Sequence, residues 1–542
     1  MTPSSSRDAA RPGAADPVAA PADDRYGLFA AASFELATGA SAAGAALPQA
    51  LWYFRDEVVA VPRPGTPVAA FARGIDPFDD LRRWAAGWSE SMTADLPPLV
   101  WVAAPDLCAH GRLAADGTAL TLGARTLPVR WVPKIPLNRA FADATSFAYL
   151  AARPLRLRGT EQTGGFTIRS VWPEDYRLAA DLGARPLDLH DDPGAALRTL
   201  MREAPRGGAA SPFAAFTLWA RTAPAAPAGA PVLAFVVNGA QGADDEAHAG
   251  HFAIATGRIA ADGGIGDWLV NDFYTLDSES EKGIVAAPVP LDNYLGDLNA
   301  GQAWYRPSVL VVAVLRDPAA AHLVQSALGR IYNHFYRHQL VYYHPDVNCT
   351  SISVDALRAL GLDVAARPAA HPVVAALGFP LLVARERSLA RARQQCDYFS
   401  ADPTRLLPAA ALEQILATLG ALVERRRPAA TADGTLARLL ARDLDALLFL
   451  RVPQFPSSRV WGDAPVATLA EYFARLPRPP AQPVIVPVPA RPFPDALRDP
   501  DLLPPPWRRS DVVAGVWGIV LLVGIPSLLA TLWRRLRRRR AL

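Results

Sequence analysis

Short apolar runs separated by glycine and proline dominate the first part of the chain, and they predict strands rather than helices. The runs at 99–104 and 127–132 predict a mostly β N-terminal domain of unassigned type over residues 25–210. Helical spacing of apolar residues intervenes at 79–89 and at 174–182, which predicts two helices within that domain. This domain contains no motif that points to a chemistry.

A second pattern begins near residue 211, where strands are followed by helices. Four predicted strands cover 231–238, 251–259, 267–274 and 308–315. Predicted helices then run from Asp317 to about Tyr343, from Cys349 to Gly361, from Ala409 to Val423 and from Leu436 to Leu450. The fold class expected for residues 211–450 is therefore α+β.

The C-terminal part of the chain has the composition of a membrane anchor. Residues 451–511 form a predicted linker that is rich in proline. The 22 residues 512–533 carry no charge, and as a helix they are about 33 Å long, which is enough to cross a bilayer. We therefore predict a single transmembrane helix at 512–533, followed by an arginine-rich tail at 534–542.

The formal net charge of +3 belongs to this tail, because six arginines stand among the last nine residues and the rest of the chain is slightly acidic. A nucleic-acid partner is not expected. The tail favours a cytoplasmic C-terminus, which predicts a single-pass bacterial inner-membrane protein with an extracytoplasmic body. Residues 1–24 resemble a disordered leader rather than a secretory signal, so a tail-anchored protein with a cytoplasmic body stays open.

Candidate chemistry depends on one of three cysteines. Cys349 follows Asn348, a good N-cap residue, and so falls in the first turn of a predicted helix, where unpaired amides and the helix dipole stabilise a thiolate. His251, at the start of a strand with small neighbours on its face, is the predicted general base. The amides of Cys349 and Thr350 are predicted oxyanion donors.

A third polar group usually orients the imidazole of such a pair. The next strand offers Asn271 and Asp272, which lie on opposite faces, and the period of two does not choose between them. His248 is a rival base, although its acidic loop predicts a solvated side chain. The composition predicts no cofactor.

Several other residues have a plainer interpretation. His334, His338 and His344 allow a metal site at helical spacing, but their aromatic and basic neighbours favour ordinary packing, so we predict no metal. Cys108 and Cys396 lack a neighbouring motif and are expected to be packing residues. The acidic segment 276–282 lacks the spacing of a calcium loop and predicts a solvated turn.

The order of these motifs resembles a known superfamily. GHFAIATGRI, DWLVNDFYTLD and VNCTSISVDALRAL, found at 250–259, 267–277 and 347–360, are similar to the circularly permuted papain-like proteins, which include NlpC-like hydrolases and lecithin:retinol acyltransferase. Within them, the strings resemble the Lnb-type lipoprotein N-acyltransferase domain. The resemblance implies a permuted papain-like domain with His251, Asn271 and Cys349 as its catalytic residues.

The resemblance also implies an activity. Cys349 would take an acyl chain from a membrane lipid as a thioester and pass it to an amine, with a lipoprotein N-terminus as the implied acceptor. A cysteine peptidase or amidase of the cell envelope is the first alternative, because only the group that resolves the acyl-enzyme differs. A non-catalytic interaction protein tethered to the membrane is the second.

Overall fold

The computed structural model describes most of the chain. The described residues are 24–31, 35–37, 46–48, 57–92, 94–132, 143–179, 181–187, 192–203, 212–240, 249–276, 284–369, 371–424, 434–456, 462, 464–475 and 507–539. The predicted leader up to residue 23, His248 and the acidic segment 277–282 lie outside them. The chain is a mixed α+β protein.

The N-terminal region begins with a small antiparallel sheet. Its elements are β1 (Tyr26–Ala30), β2 (Glu35–Ala37), β3 (Ala46–Pro48), β4 (Val58–Pro62), α1 (Pro77–Ala86) and β5 (Val100–Ala103). Strands β1, β4 and β5 form one sheet, while β2 pairs with β3. Asp76 caps α1 by accepting hydrogen bonds from the amides of Phe78 and Asp79, so the helix starts two residues before its predicted position.

A closed barrel of five strands follows. Its elements are β6 (Asp106–Leu113), β7 (Ala119–Leu122), β8 (Arg125–Trp131), α2 (Ala144–Ala151), β9 (Leu155–Gln162) and β10 (Gly165–Pro173). The barrel closes in the order β10-β8-β7-β6-β9, and the β8–β10 pair is parallel. This order, with a helix between the third and fourth strands, is that of the OB-fold. A topology of this kind does not by itself define a function.

A seven-stranded sheet organises the rest of the body. After α3 (Pro193–Arg202) come β11 (Ala214–Ala220), β12 (Pro231–Asn238), β13 (His251–Arg258), β14 (Leu269–Asn271), β15 (Pro288–Pro290), α4 (Leu291–Gly296), β16 (Ser308–Leu315), α5 (Ala319–Tyr336), α6 (Cys349–Ala359), α7 (Pro372–Glu386), α8 (Leu389–Ser400), α9 (Pro403–Leu406), α10 (Pro408–Val423), α11 (Thr435–Asp443) and β17 (Leu444–Val452). The sheet is antiparallel throughout, in the order β11-β17-β16-β12-β13-β14-β15. Helices α5, α6 and α10 pack on its central strands.

Two of the predicted strands are confirmed to the residue, at 231–238 and 308–315, because both are buried at every position and bounded by turn residues. The predicted helix at 436–450 is wrong in its second half. Helix α11 ends at Asp443, and Leu444–Val452 is a strand between two others in the central sheet. A short, continuously apolar run fits a buried strand and a buried helix equally well, so periodicity could not separate them.

Two other helix predictions need correction. Helix α5 ends at Tyr336 rather than near Tyr343, and His338 stands just beyond it with a left-handed φ of 58°. The helix predicted at 174–182 is absent from the described part of that segment. There, the amide of Leu178 donates to the carbonyl of Gly263 at 2.8 Å, and the Tyr176 ring stacks on Phe213. Long-range contacts thus override the local helical pattern.

Buried ion pairs join the barrel to the central sheet. Arg158 of β9 pairs with Asp292 of α4 at 3.0 Å, and Arg169 of β10 pairs with Asp297 at 2.7 Å. Arg156 also contacts Asp292 at 2.7 Å. These carboxylates are almost fully buried, so each needs its guanidinium partner.

The first part of the predicted linker returns to the body. Phe455 is fully buried and packs against the Trp304 ring at 4.4 Å between centroids. A short helix, α12 (Leu469–Arg475), follows, and residues 476–506 lie outside the described part of the chain. The described residues between Val452 and Leu469 thus belong to no helix or strand, yet Phe455 and Val466 among them are fully buried.

The C-terminal helix begins before its predicted position. It consists of α13 (Arg509–Ile519), a π-helical turn at Val520–Gly524 and α14 (Ile525–Arg539). The π turn ends two residues before Pro526, which has no amide hydrogen to donate to the preceding turn. One helix among the described residues, Arg509–Trp533, is long and apolar enough to cross a membrane.

Candidate active site

The position of His251 depends on the glycine before it. Gly250 has a φ of 84°, a left-handed conformation that side chains rarely adopt. A Cβ atom there would lie 2.5 Å from the carbonyl oxygen of Asn238, on the neighbouring strand. The turn into β13 therefore requires glycine, and it leaves His251 as the first residue of a strand in the middle of the sheet.

Cys349 is the first residue of α6, as predicted. The Asn348 side chain accepts hydrogen bonds from the amides of Thr350 and Ser351, both at 2.9 Å. The Ser351 hydroxyl in turn accepts from the Asn348 amide at 2.8 Å, which completes a capping box. The cap fixes the first turn of α6 and, with it, the position of the thiol.

The fold brings Cys349, His251 and Asp272 together. The side chains of His251 and Cys349 are hydrogen-bonded, and the Nε2 atom of His251 contacts Oδ1 of Asp272. Because Nε2 is engaged by the carboxylate, Nδ1 is the ring nitrogen left for the thiol. His251 and Asp272 are 2% exposed and Cys349 is 6% exposed, so this polar cluster is largely shielded from water.

Electrostatics favour a thiolate–imidazolium pair. Burial raises the pKa of the Cys349 thiol, but the charge of His251 and hydrogen bonds from His251 and from the amide of Phe252 outweigh it, so the pKa lies below its ordinary value. Burial lowers the pKa of His251, but the charges of Cys349 and Asp272 raise it to about 10. Cys349 differs in this from Cys108 and Cys396, whose thiol pKa values are raised by burial.

The structure places Asp272, and not Asn271, against His251. In the β13–β14 pair, Asn271 stands directly opposite Ile254, so its side chain shares the face of Ile254 and not the face of His251. Asp272, the next residue, emerges on the His251 side. The predicted orienting role of Asn271 is therefore corrected in favour of Asp272, because strand pairing, which the sequence does not show, decides the face.

Asn271 has a different set of partners. Its amide nitrogen donates to Oε1 of Gln325 at 3.0 Å, and the amide nitrogen of Gln325 donates back to its oxygen at 3.1 Å. The Thr256 hydroxyl also donates to Gln325, at 2.7 Å. Asn271 thus attaches helix α5 to the sheet beside the site.

Asp272 is held by groups from two other elements. Burial raises the pKa of its carboxyl, while the positive charges of His251 and Arg306 oppose that effect. The Tyr332 hydroxyl donates to its backbone carbonyl at 2.6 Å. These contacts fix the carboxylate as a rigid acceptor for the imidazole.

The predicted oxyanion donors also need revision. The amide of Thr350 donates to the Asn348 cap, so it is already engaged. Tyr342, in the segment before α6, lies close enough to Cys349 for the Cys349 amide and the thiol charge both to act on the pKa of its hydroxyl. An oxyanion that displaced the Tyr342 hydroxyl from the Cys349 amide would receive hydrogen bonds from both groups. Sequence analysis missed Tyr342, because it stands beside Tyr343 and His344 with no motif of its own.

Aromatic rings connect the site to a cavity. Tyr274 lies 6.3 Å from the His251 ring and 5.4 Å from Tyr342, measured between centroids. His344 follows at 6.4 Å from Tyr342, and its Nδ1 contacts the hydroxyl of Tyr398 at 2.8 Å. Both His344 and Tyr398 line a cavity of about 310 Å³ between α7, α8 and α12.

The other candidate residues have ordinary partners. His334 contacts Asp80 and Gln339 through its two ring nitrogens, each at 2.8 Å. Within the described residues, no three His, Cys, Asp or Glu side chains form a group that could hold a metal ion. Cys108, Cys349 and Cys396 are all free thiols.

Comparisons with protein-family models, with curated proteins and with solved structures find no match to this chain.

Proposed function

We propose that the protein is a membrane-anchored thiol acyltransferase, similar to the lipoprotein N-acyltransferases, and that its α+β domain is of the permuted papain-like type. The observation that carries the proposal is the buried Cys349–His251–Asp272 cluster with its lowered thiol pKa. The order of the elements agrees with that fold type, because the strand that begins at His251 comes before the helix that begins at Cys349. The long apolar helix Arg509–Trp533 supports a membrane lipid as the acyl donor.

The acylation step uses each group of the cluster. The Cys349 thiolate attacks the carbonyl carbon of a lipid ester, and the developing oxyanion receives hydrogen bonds from the Cys349 amide and the Tyr342 hydroxyl. The carbon–oxygen ester bond then breaks, and the His251 imidazolium gives its proton to the departing alkoxide. The products are a thioester on Cys349 and a free lipid alcohol.

The second step returns the site to its starting state. Neutral His251 accepts a proton from an amine as the amine nitrogen attacks the thioester carbon, and the carbon–sulfur bond breaks to release an amide and a thiolate. Asp272 stabilises the imidazolium in both steps without accepting the proton itself. We propose the N-terminus of a lipoprotein as the acceptor.

A labelling experiment tests the thioester. Membranes that contain the full chain are incubated with a phospholipid that carries an alkyne-tagged acyl chain, and we expect a hydroxylamine-sensitive label on the protein. The label should be lost in Cys349→Ala and kept in the matched variant Cys396→Ala, which removes another buried free thiol. A label that persists in Cys349→Ala would contradict the mechanism.

A cysteine peptidase or amidase is the second candidate, because polar side chains share the lining of the cavity with apolar ones. Arg385, Gln394 and Gln395 face the same space as Leu406 and Phe473. Adding a peptide with a free α-amine to the labelled protein separates the two activities. Transfer of the tag to the peptide supports the acyltransferase, and release of free tagged fatty acid supports a hydrolase.

The hydrogen bond between His251 and Cys349 argues against a non-catalytic role.

A further inference from the structure

Helix α7 has apolar side chains on two faces. Ala375 and Phe379 are buried against Ala392 and Cys396 of α8. Four large apolar side chains of the same helix are exposed, namely Val373, Val374, Leu377 and Leu381, of which the last two are 69% and 76% exposed. Val374, Leu377 and Leu381 follow Val373 by one, four and eight residues, a spacing that places all four on one outward face of the helix. An exposed apolar face of this size on a helix usually marks an interaction surface.

The beginning of the C-terminal helix packs on the same hairpin. The indole nitrogen of Trp517 donates to the carbonyl of Ala376 at 2.7 Å, and Val513 and Ala514 pack into the α7–α8 cluster. The remaining side of α13 exposes Val516 and Ile519. The outward face of α7 and the outward face of the apolar helix are therefore neighbours on one surface.

Polar contacts lie at the end of this surface where α13 begins. Arg393 of α8 lies 3.6 Å from Asp511, and Arg509 donates to the carbonyl of Ser400 at 3.0 Å. Trp517 lies six residues beyond Asp511, which is about 9 Å further along the helix. If Arg509 and Asp511 stand at the lipid headgroups, Ala376 lies below them, at a depth that interfacial helices reach.

We infer that α7 inserts its Val373, Val374, Leu377 and Leu381 face into the lipid bilayer beside the C-terminal helix. The inference rests on the membrane anchor of the proposed function but not on its chemistry. The bilayer is the fitting occupant because the apolar face is continuous with a helix that is apolar enough to span it. The α7–α8 hairpin also supplies Arg385, Tyr398 and Phe399 to the cavity, so insertion brings the cavity to the membrane surface.

Fluorescence quenching of labelled full-length protein tests this inference. An environment-sensitive label is placed at Leu377→Cys in a Cys108→Ser, Cys349→Ala, Cys396→Ala background, which removes all three native thiols, in vesicles of phosphatidylethanolamine and phosphatidylglycerol. Leu28→Cys is the matched control, since Leu28 is also an exposed leucine, at 40%, but lies on β1. Leu522→Cys, in the C-terminal helix, gives the signal of a residue inside the bilayer.

We expect lipids with brominated acyl chains to quench the labels at 377 and 522, and aqueous iodide to quench the label at 28. The inference is overturned if iodide quenches the label at 377 as strongly as the label at 28. It is also overturned if neither quencher reaches the label at 377, because a protein partner would then cover α7. Iodide quenching at 522 would overturn the anchor itself, whereas the thioester label on Cys349 is measured independently of all three positions.

Discussion

Charge is buried both in the candidate active site and in the barrel joint, the ion pairs of Arg158 and Arg169 that connect the barrel to the central sheet. The two sets of buried charges have different roles. At the joint, Arg158 and Arg169 pair with Asp292 and Asp297, and a guanidinium keeps its proton at any pH that the fold survives. At the site, His251 lies between Asp272 and a thiol, and both of these neighbours change the proton affinity of the ring. Buried charge alone therefore does not identify a functional site; a buried group that can exchange a proton with a nucleophile does.

The largest effect is expected at the nucleophile. Cys349→Ala should lower the rate of thioester formation by about 10⁴-fold or more, because no other group near His251 can form the covalent bond. The free energy of unfolding should change by only about 1 kcal/mol, since the substitution removes a single buried sulfur atom. Single-turnover acylation and chemical denaturation measure the two quantities. A large loss of stability would contradict the separation between site and joint.

The opposite outcome is expected at the joint. Asp292→Ala should lower the free energy of unfolding by about 3–5 kcal/mol, because Arg158 is left buried without its carboxylate. Glu161→Ala, which breaks the exposed pair between Glu161 and Arg125 on the same barrel, should cost less than about 1 kcal/mol. Denaturant melts give both values. In the molecules that stay folded, the rate of Cys349 alkylation should match that of the unchanged protein.

Tyr342→Phe separates oxyanion binding from thiol activation. Loss of one oxyanion donor should lower the acylation rate by about 10²-fold. Alkylation of Cys349 by iodoacetamide forms no oxyanion, so its rate should stay the same. Tyr336→Phe is the control, because the Tyr336 hydroxyl is also buried but donates to the carbonyl of Ala286 at 3.0 Å. Equal losses in acylation and alkylation would show that Tyr342 acts on the thiol instead.

The smallest effect concerns the pH dependence of thiol reactivity. The lowered pKa of Cys349 keeps the thiolate present above that pKa, and alkylation falls as the pH drops through it. Asp272→Asn lowers the pKa of His251, which weakens the ion pair and raises the pKa of the thiol. We expect the midpoint of the alkylation profile to move up by about one unit, an effect of about tenfold at a pH below both midpoints. Asn271→Ala should destabilise the α5 contact and leave the midpoint unchanged.

Local patterns were sufficient for part of the fold. The strands at 231–238 and 308–315 and the helix that starts at Cys349 follow from runs and caps that need no distant partner. The strand Leu444–Val452 and the turn at 174–179 did not follow, because their conformations depend on neighbours far away in the chain. The helices α7 and α8 received no prediction, since α7 lacks a distinct polar face.

What the sequence by itself determined is the candidate nucleophile, the candidate base and the apolar helix, because each follows from nearby residues: Asn348 before Cys349, small residues on the strand face of His251, and a run without charge at 512–533. Only the tertiary structure decided the partners of these groups. The pairing of β13 with β14 selected Asp272 over Asn271, and the path of the chain before α6 brought the Tyr342 hydroxyl to the Cys349 amide. The physical reason is that a capped turn is a local interaction, whereas strand register and the approach of a side chain from another element are long-range ones.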